Sequence, residues 1–232
     1  APTHYNLGLA LAKEGRMAPA IESLVSALKL DPNNPNPHVK LGDALLMQGK
    51  PEQAIKYFQT ALQLNPQSAE AHLFMGSQLL NQDKRDQALA HLKQALTINP
   101  QLAQAHNNIG IIMIREKNLE AAIYHFQKAV QIDPNFAMAN KNLKKALAIR
   151  ENMDQDAATI RKALKNDPNN PVLHYKMGNV YLGERKIREA IFEFENALAL
   201  QPGFIAAQNN LALAYAADRQ YDQALAAFKK LI

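Results

Sequence analysis

Apolar and polar positions in residues 35–68 form two helical stripes separated by polar breaks. Val39, Leu41, Leu45 and Leu46 fall on one side at helical spacing, and Ile55, Phe58, Ala61 and Leu62 do so again. Between them lies MQGKPEQ, with Gly49 suited to ending a helix and Pro51 to starting the next. Asn65-Pro66 then stops the second stripe. The segment predicts two antiparallel helices, A and B, joined by a short turn.

This segment recurs along the whole chain. Pro32, Pro66, Pro100, Pro134, Pro168 and Pro202 stand 34 residues apart without insertion or deletion. Position 8 of each unit reads Gly8, Gly42, Gly76, Gly110, Lys144, Gly178 and Ala212. Position 20 reads Ala20, Ala54, Ala88, Ala122, Asp156, Ala190 and Ala224. A fixed period of this length marks stacked supersecondary units. The expectation is one solenoid over 1–232, with units 1–34, 35–68, 69–102, 103–136, 137–170, 171–204 and a truncated 205–232. The turns KEGR, NQDK, REKN, IREN, GERK and ADRQ are polar throughout. Small residues at 8 and 20 let the two backbones approach. Large ones at 24 (Leu24, Phe58, Leu92, Phe126, Ile160, Phe194, Phe228) fill the space against the next pair.

Leu7-Gly8, Leu11, Gly15, Ala20, Leu24, Ala27 and Pro32 resemble the tetratricopeptide repeat, and the likeness covers the chain. It implies an all-α, right-handed α-solenoid of antiparallel helix pairs, with helices A lining a concave groove and helices B on the convex side.

Unit five, residues 137–170, departs from the pattern. Lys144 stands at position 8, Asp156 at 20, and Asn166 replaces an apolar residue at 30. Burying either charge unpaired is costly. Either the two pair across the crossing, or the helices splay and the stack bends; splay, with a hinge or kink between residues 137 and 170, is preferred. The chain also stops inside a helix B, with no polar helix to cover Leu211, Tyr215, Leu225 and Phe228. Solenoids need capping for solubility. The expectation is a segment of a longer protein, or an end covered by self-association.

Composition adds little. The chain has 47% hydrophobic and 20% charged residues and no apolar run of membrane-spanning length, and no signal peptide is expected at its start, where Ala1 falls directly inside the first unit. Without cysteine it has no disulfide, thiol chemistry or cysteine-ligated metal. A net charge of +5 mildly favours acidic partners, but Lys and Arg are dispersed among Asp and Glu. The groove cations form no continuous track for nucleic acid.

Position 4 carries a histidine ladder, His4, His38, His72, His106 and His174. Adjacent rungs lie at least roughly 8–10 Å apart, and zinc needs each nitrogen at about 2.0–2.1 Å, so no shared metal is expected. Half-buried packing between neighbouring helices A explains the ladder. His91 and His125 read as surface residues, and Glu193 and Glu195 as a solvated helix B face. No nucleophile motif, phosphate loop or HExxH helix is present, so neither catalysis nor a cofactor is expected.

The resemblance implies a binding surface on helix A. Position 6 there reads Asn6, Lys40, Phe74, Asn108, Asn142, Lys176 and Asn210, with Asn107 and Asn209 beside two of the asparagines. An asparagine donates and accepts together, so a row of them can hold a peptide backbone of any sequence. The row resembles the asparagine ladder of the O-GlcNAc transferase superhelix, interrupted here by Lys40, Phe74 and Lys176. Tyr5, Val39, Leu73, Ile111 and Tyr175 surround it, while Lys141, Lys145 and Lys176 add positive charge. Aromatic anchors beside cations suit an acidic and apolar peptide. Leu73 and Ile111 are equally read as inter-repeat packing. No three consecutive units supply the lysine and asparagine pattern with which some family members clamp chaperone C-termini.

The function expected is a non-enzymatic scaffold holding an extended peptide or a partner helix. The alternatives are a substrate-recruiting arm of a larger enzyme, such as a glycosyltransferase, or a scaffold that self-assembles through its ends.

Overall fold

The computed structural model describes residues 1–231; Ile232, the last residue of the expected unit 205–232, lies outside the described residues. Thirteen α-helices and no strand occur among the described residues. The chain divides into two compact units, Ala1–Ala146 and Leu147–Ile232.

The first unit holds four helix pairs: α1 (Pro2–Lys13) with α2 (Met17–Leu30), α3 (Pro35–Met47) with α4 (Pro51–Leu64), α5 (Ala69–Asn81) with α6 (Arg85–Ile98), and α7 (Ala103–Arg115) with α8 (Leu119–Ile132). Each helix B also packs on the next helix A, and α1, α3, α5 and α7 touch in sequence. This is the nearest-neighbour stacking of a solenoid. The second unit holds the pairs α10 (Pro171–Gly183) with α11 (Ile187–Leu200) and α12 (Ile205–Ala217) with α13 (Tyr221–Lys229).

The crossing of each pair is set by position 8. A Cβ placed on Gly42, Gly110 or Gly178 would sit 2.5 Å from the ring of Phe58, Phe126 or Phe194 respectively. On Gly76 and Gly8 it would lie 2.6 and 2.8 Å from Leu92 and Leu24. The knob at 24 therefore fills the hole above the glycine of its own repeat. Its outer edge reaches the next pair, as where Phe58 stacks on Phe74 at 5.0 Å. Phe58, Phe126 and Phe194 are fully buried, each worth about 2–3 kcal/mol in apolar area removed from water.

Every A-to-B turn outside repeat five closes with the same two backbone bonds. In the first, the Gly15 N–H donates to Ala12 and the Arg16 N–H to Leu11; in the last, Arg219 donates to Ala216 and Gln220 to Tyr215. This is a Schellman cap, and it needs a left-handed residue at position 15. Gly15 and Gly49 adopt that conformation freely, whereas Asp83, Lys117, Arg185 and Arg219 adopt it at φ 55–62°.

Repeat five differs from the expectation. α9 runs unbroken from Ala137 to Asn166, through the IREN segment that corresponds to the turns of the other repeats. Two causes act together. Lys144 replaces the glycine that elsewhere leaves room for the side chain at 24, and Asp156 stands where every other described repeat has a small, nearly fully buried residue. The segment also contains neither glycine nor proline, so nothing opposes continued helix. Lys144 and Asp156 are both exposed, and Ile160 and Ala163 are only half-buried. The crossing does not splay; it does not form.

Candidate binding face

The position 6 side chains are largely engaged in bonds between repeats. In the first unit, Asn108 donates from Nδ2 to the Ser77 hydroxyl on α5 at 2.8 Å. Asn142, in the first turns of α9, donates to Oδ1 of Asn107 on α7 at 2.9 Å. Asn107 in turn donates to Asn108 Oδ1 at 3.5 Å. The Ser77 hydroxyl and the Asn107, Asn108 and Asn142 amides thus form one hydrogen-bonded chain from α5 through α7 to the start of α9. Asn107 is 1% exposed, so its direct part is to hold Asn108 and Asn142.

Lys40 is salt-bridged to Glu70 of the next repeat. Asp43 lies beside this pair, and burial pushes its carboxyl above the usual range, opposed by Lys40 and reinforced by Glu70. Lys40 therefore serves cohesion between α3 and α5. Phe74 is occupied in its stack with Phe58. Leu73 and Val39 are buried, and Ile111 packs on the same core, which places all three in inter-repeat packing. Tyr5 packs there as well, while Asn6, Lys141 and Lys145 are exposed.

The second unit repeats the device. Asn210 donates to Asn179 Oδ1 at 2.7 Å and lies 3.5 Å from the Tyr175 hydroxyl. Tyr175 packs against Phe194 and Phe204, with ring centroids 6.0 and 4.9 Å away. Lys176 is exposed.

Ser77 and Asn179, both at position 9, are partners that the position 6 column does not contain. The signal was available. Each is polar where Leu9, Ile111 and Leu213 are apolar, and each precedes a repeat with asparagine at 6.

The histidine ladder has another role than packing between neighbouring helices A. Nε2 of His38, His72 and His174 lies 3.0, 3.1 and 2.9 Å from the carbonyl of Pro32, Pro66 and Pro168. Because a carbonyl only accepts, these rings carry the proton on Nε2, latching helix A to the loop before it. Nδ1 then faces position 23 of the same repeat. His72 meets His91 at 2.9 Å, His106 meets His125 at 3.0 Å, and His174 meets the Glu193 carboxylate at 2.6 Å. His91 and His125 are accordingly half-buried rather than surface residues. Burial, then the facing histidine, lowers both, His125 to about 4. Glu193 is no part of a solvated face, and Glu195 accepts from the Tyr215 hydroxyl at 2.5 Å. No group of three or more metal-ligating side chains occurs among the described residues.

Tetratricopeptide repeat models match residues 11–77 and 45–107, 103–136, and 175–232. The chain belongs to the tetratricopeptide repeat family. The matched stretches leave residues 137–174, which contain α9, between them. Solved structures share the fold of tetratricopeptide repeat proteins. The anaphase-promoting complex assembly Cut9-Hcn1 is 21% identical with a TM-score of 0.59; 91% of this chain is covered, and it spans 42% of that one. MamA is 24% identical (TM-score 0.51, 87% and 91% of the two chains). YrrB, described as a TPR protein with an unusual peptide-binding site, is 19% identical (TM-score 0.52, 81% and 96%). No curated protein matches the chain. Among the described residues no helix is long and apolar enough to cross a membrane.

Proposed function

We propose that this tetratricopeptide repeat chain is a non-enzymatic scaffold that holds an extended peptide on the helix A face of its first unit. One observation carries the reading: Asn108 and Asn142 are fixed by bonds between repeats, and each amide group keeps hydrogen-bonding capacity beyond that bond. Each of these bonds uses one of two amide hydrogens, and each carbonyl oxygen has a lone pair to spare even where Asn108 Oδ1 takes the long bond from Asn107. A prefixed amide binds a peptide backbone without losing rotamer freedom on association. Exposed Lys141 and Lys145 on the following turns favour a ligand with acidic residues. Lys40 is excluded from that role by Glu70. The peptide-binding site described for YrrB supports the class of ligand.

The test is panning of a random peptide library against the chain and against Asn108→Ala/Asn142→Ala. Peptides captured by the parent and lost by the variant are expected, enriched in Asp and Glu. The variant also loses two inter-repeat bonds, about 0.5–1.5 kcal/mol each, so its unfolding midpoint is measured alongside. Equal capture by a folded variant removes the helix A face as the binding surface.

A further inference from the structure

Repeat three brings two imidazoles face to face. Nδ1 of His72, in the first turn of α5, lies 2.9 Å from Nδ1 of His91 on α6. Both rings are half-buried, so the point where they meet can be reached from water. The backbones behind them are fixed by packing, since Ala88, Leu92 and Ala95 around His91 and Ala71 beside His72 are fully buried. His72 is also oriented by its other nitrogen, which donates to the Pro66 carbonyl at 3.1 Å. This leaves the Nδ1 lone pair aimed at His91. A backbone carbonyl that takes the far N–H is the usual outer support of a metal-binding histidine.

The spacing suits one kind of ion. Two nitrogens about 2.0–2.1 Å from one ion are about 2.8–3.0 Å apart when bound at right angles, and about 3.3–3.4 Å apart when tetrahedral. The observed 2.9 Å fits the first. Right-angled nitrogen donors favour copper(II) or nickel(II), and copper(II) binds the more tightly. We propose that His72 and His91 form a copper(II) site, in which the two Nδ1 atoms take adjacent coordination positions and water fills the rest. Each Nδ1 gives its lone pair to the ion in place of the hydrogen bond between them. The hydrogen now shared by the two atoms leaves to water and another is taken up at His91 Nε2, so no net proton is released. Burial, then the facing His72, lowers His91 below the usual histidine range, so protons compete weakly with the ion at neutral pH.

The other repeats show why repeat three is singled out. His106 and His125 stand 3.0 Å apart, but Lys128 near His106 and Lys93 near His125 oppose a further cation. His174 faces the Glu193 carboxylate, and His38 faces the Tyr57 ring. Repeats one and five carry Ser23 and Thr159 at position 23. No third histidine or carboxylate joins the His72–His91 pair among the described residues, so the ion is held by two side chains and exchanges with solvent.

The test titrates copper(II) alone into the full chain at neutral pH, followed by electron paramagnetic resonance and by the thermal unfolding midpoint. One ion coordinated by two imidazole nitrogens is expected, with a midpoint that rises with copper(II) concentration. Two variants borrow their residues from other repeats, so the helix pair is kept. His91→Tyr gives repeat three the histidine–tyrosine pair of repeat two. His72→Asn installs the residue of repeat five, where Asn140 donates to the Pro134 carbonyl at 2.8 Å, and so keeps the latch to the loop. Each variant should weaken copper(II) binding at least about tenfold and remove the rise in midpoint. His125→Tyr should leave both unchanged. A chain that binds no copper(II) overturns the proposal. Undiminished binding in either ligand variant also overturns it, because the ion then sits at the amino terminus or on other histidines.

Discussion

Repeats four and five share one register and differ in how it is used. In residues 103–136 a glycine at position 8 receives the ring of Phe126, and Ala122 and Ala129 are fully buried beside it. In residues 137–170 a lysine takes the glycine's place, an aspartate the alanine's, and the two helices become one. Period and turn polarity are the same in both. What separates them is whether two backbones can approach, which depends on two side chains near the crossing.

The most severe way to break the comparison is to move repeat five's residues into repeat four. Gly110→Lys with Ala122→Asp places charged side chains where a Cβ already meets the Phe126 ring at 2.5 Å. The expected loss exceeds about 4 kcal/mol, since overpacking and burial of polar groups add. Urea unfolding measures it, and hydrogen exchange should show protection lost across α7 and α8. A variant within about 1 kcal/mol of the parent would mean that the crossing is not what distinguishes the repeats.

Next in size is the knob itself. Phe126→Ala empties a fully buried site and should cost about 3–5 kcal/mol. Ile160→Ala, at the same register position but half-buried, should cost about 1 kcal/mol. Denaturant midpoints of the two variants read the difference directly. Equal costs would show that Ile160 is as enclosed as Phe126.

Acidification separates repeat four from repeat six. His106 and His125 face each other, with Lys93 and Lys128 adding positive charge nearby, whereas His174 faces Glu193. Burial, chiefly, lowers His106, and lowers His125 to about 4, from the ordinary value of 6.5. The unfolded chain therefore binds protons first. This contribution to stability is present above pH 6.5 and is lost as pH falls towards 4. The pair is partly solvated, so the loss by pH 5 is about 1 kcal/mol after allowance for screening. His125→Glu gives repeat four the arrangement of repeat six and should reduce that loss in unfolding titrations. An unchanged pH dependence would assign the acid sensitivity to other groups.

The helix pairs outside repeat five were legible because burial imposes them repeatedly. Gly8, Gly42, Gly76, Gly110 and Gly178 each meet a large side chain at the same offset, and one mechanism explains all five. The continuous helix at repeat five was less legible. Lys144 and Asp156 revealed that the crossing was compromised, but not whether the pair would bend or straighten. That outcome also depended on the absence of a helix breaker in 149–152. The binding face was the least legible part. Position 6 identified the asparagines, yet their partners Ser77, Asn107 and Asn179 lie on the preceding repeat. Bonds across repeats depend on two registers at once, which a single column of residues does not display.

The finest distinction is a single substitution with opposite signs. Position 15 is left-handed in every closed repeat, and at Lys117 and Arg219 a residue with a Cβ holds that conformation at φ 55° and 62°. Lys117→Gly or Arg219→Gly removes the steric penalty and should stabilise the chain by about 1 kcal/mol. The gain is partly offset by the greater freedom of glycine in the unfolded state. Asp83 is the poorer site for this test, because its carboxylate also bridges Arg85 and Arg115. Glu151 occupies the same register position but lies in the interior of α9, exposed to solvent. There glycine relieves no strain and loosens a continuous helix, so Glu151→Gly should destabilise by about 0.8–1 kcal/mol. Thermal or denaturant unfolding of the three variants decides the matter. A stabilising Glu151→Gly would mean that residue 151 is left-handed in solution and that repeat five closes like its neighbours.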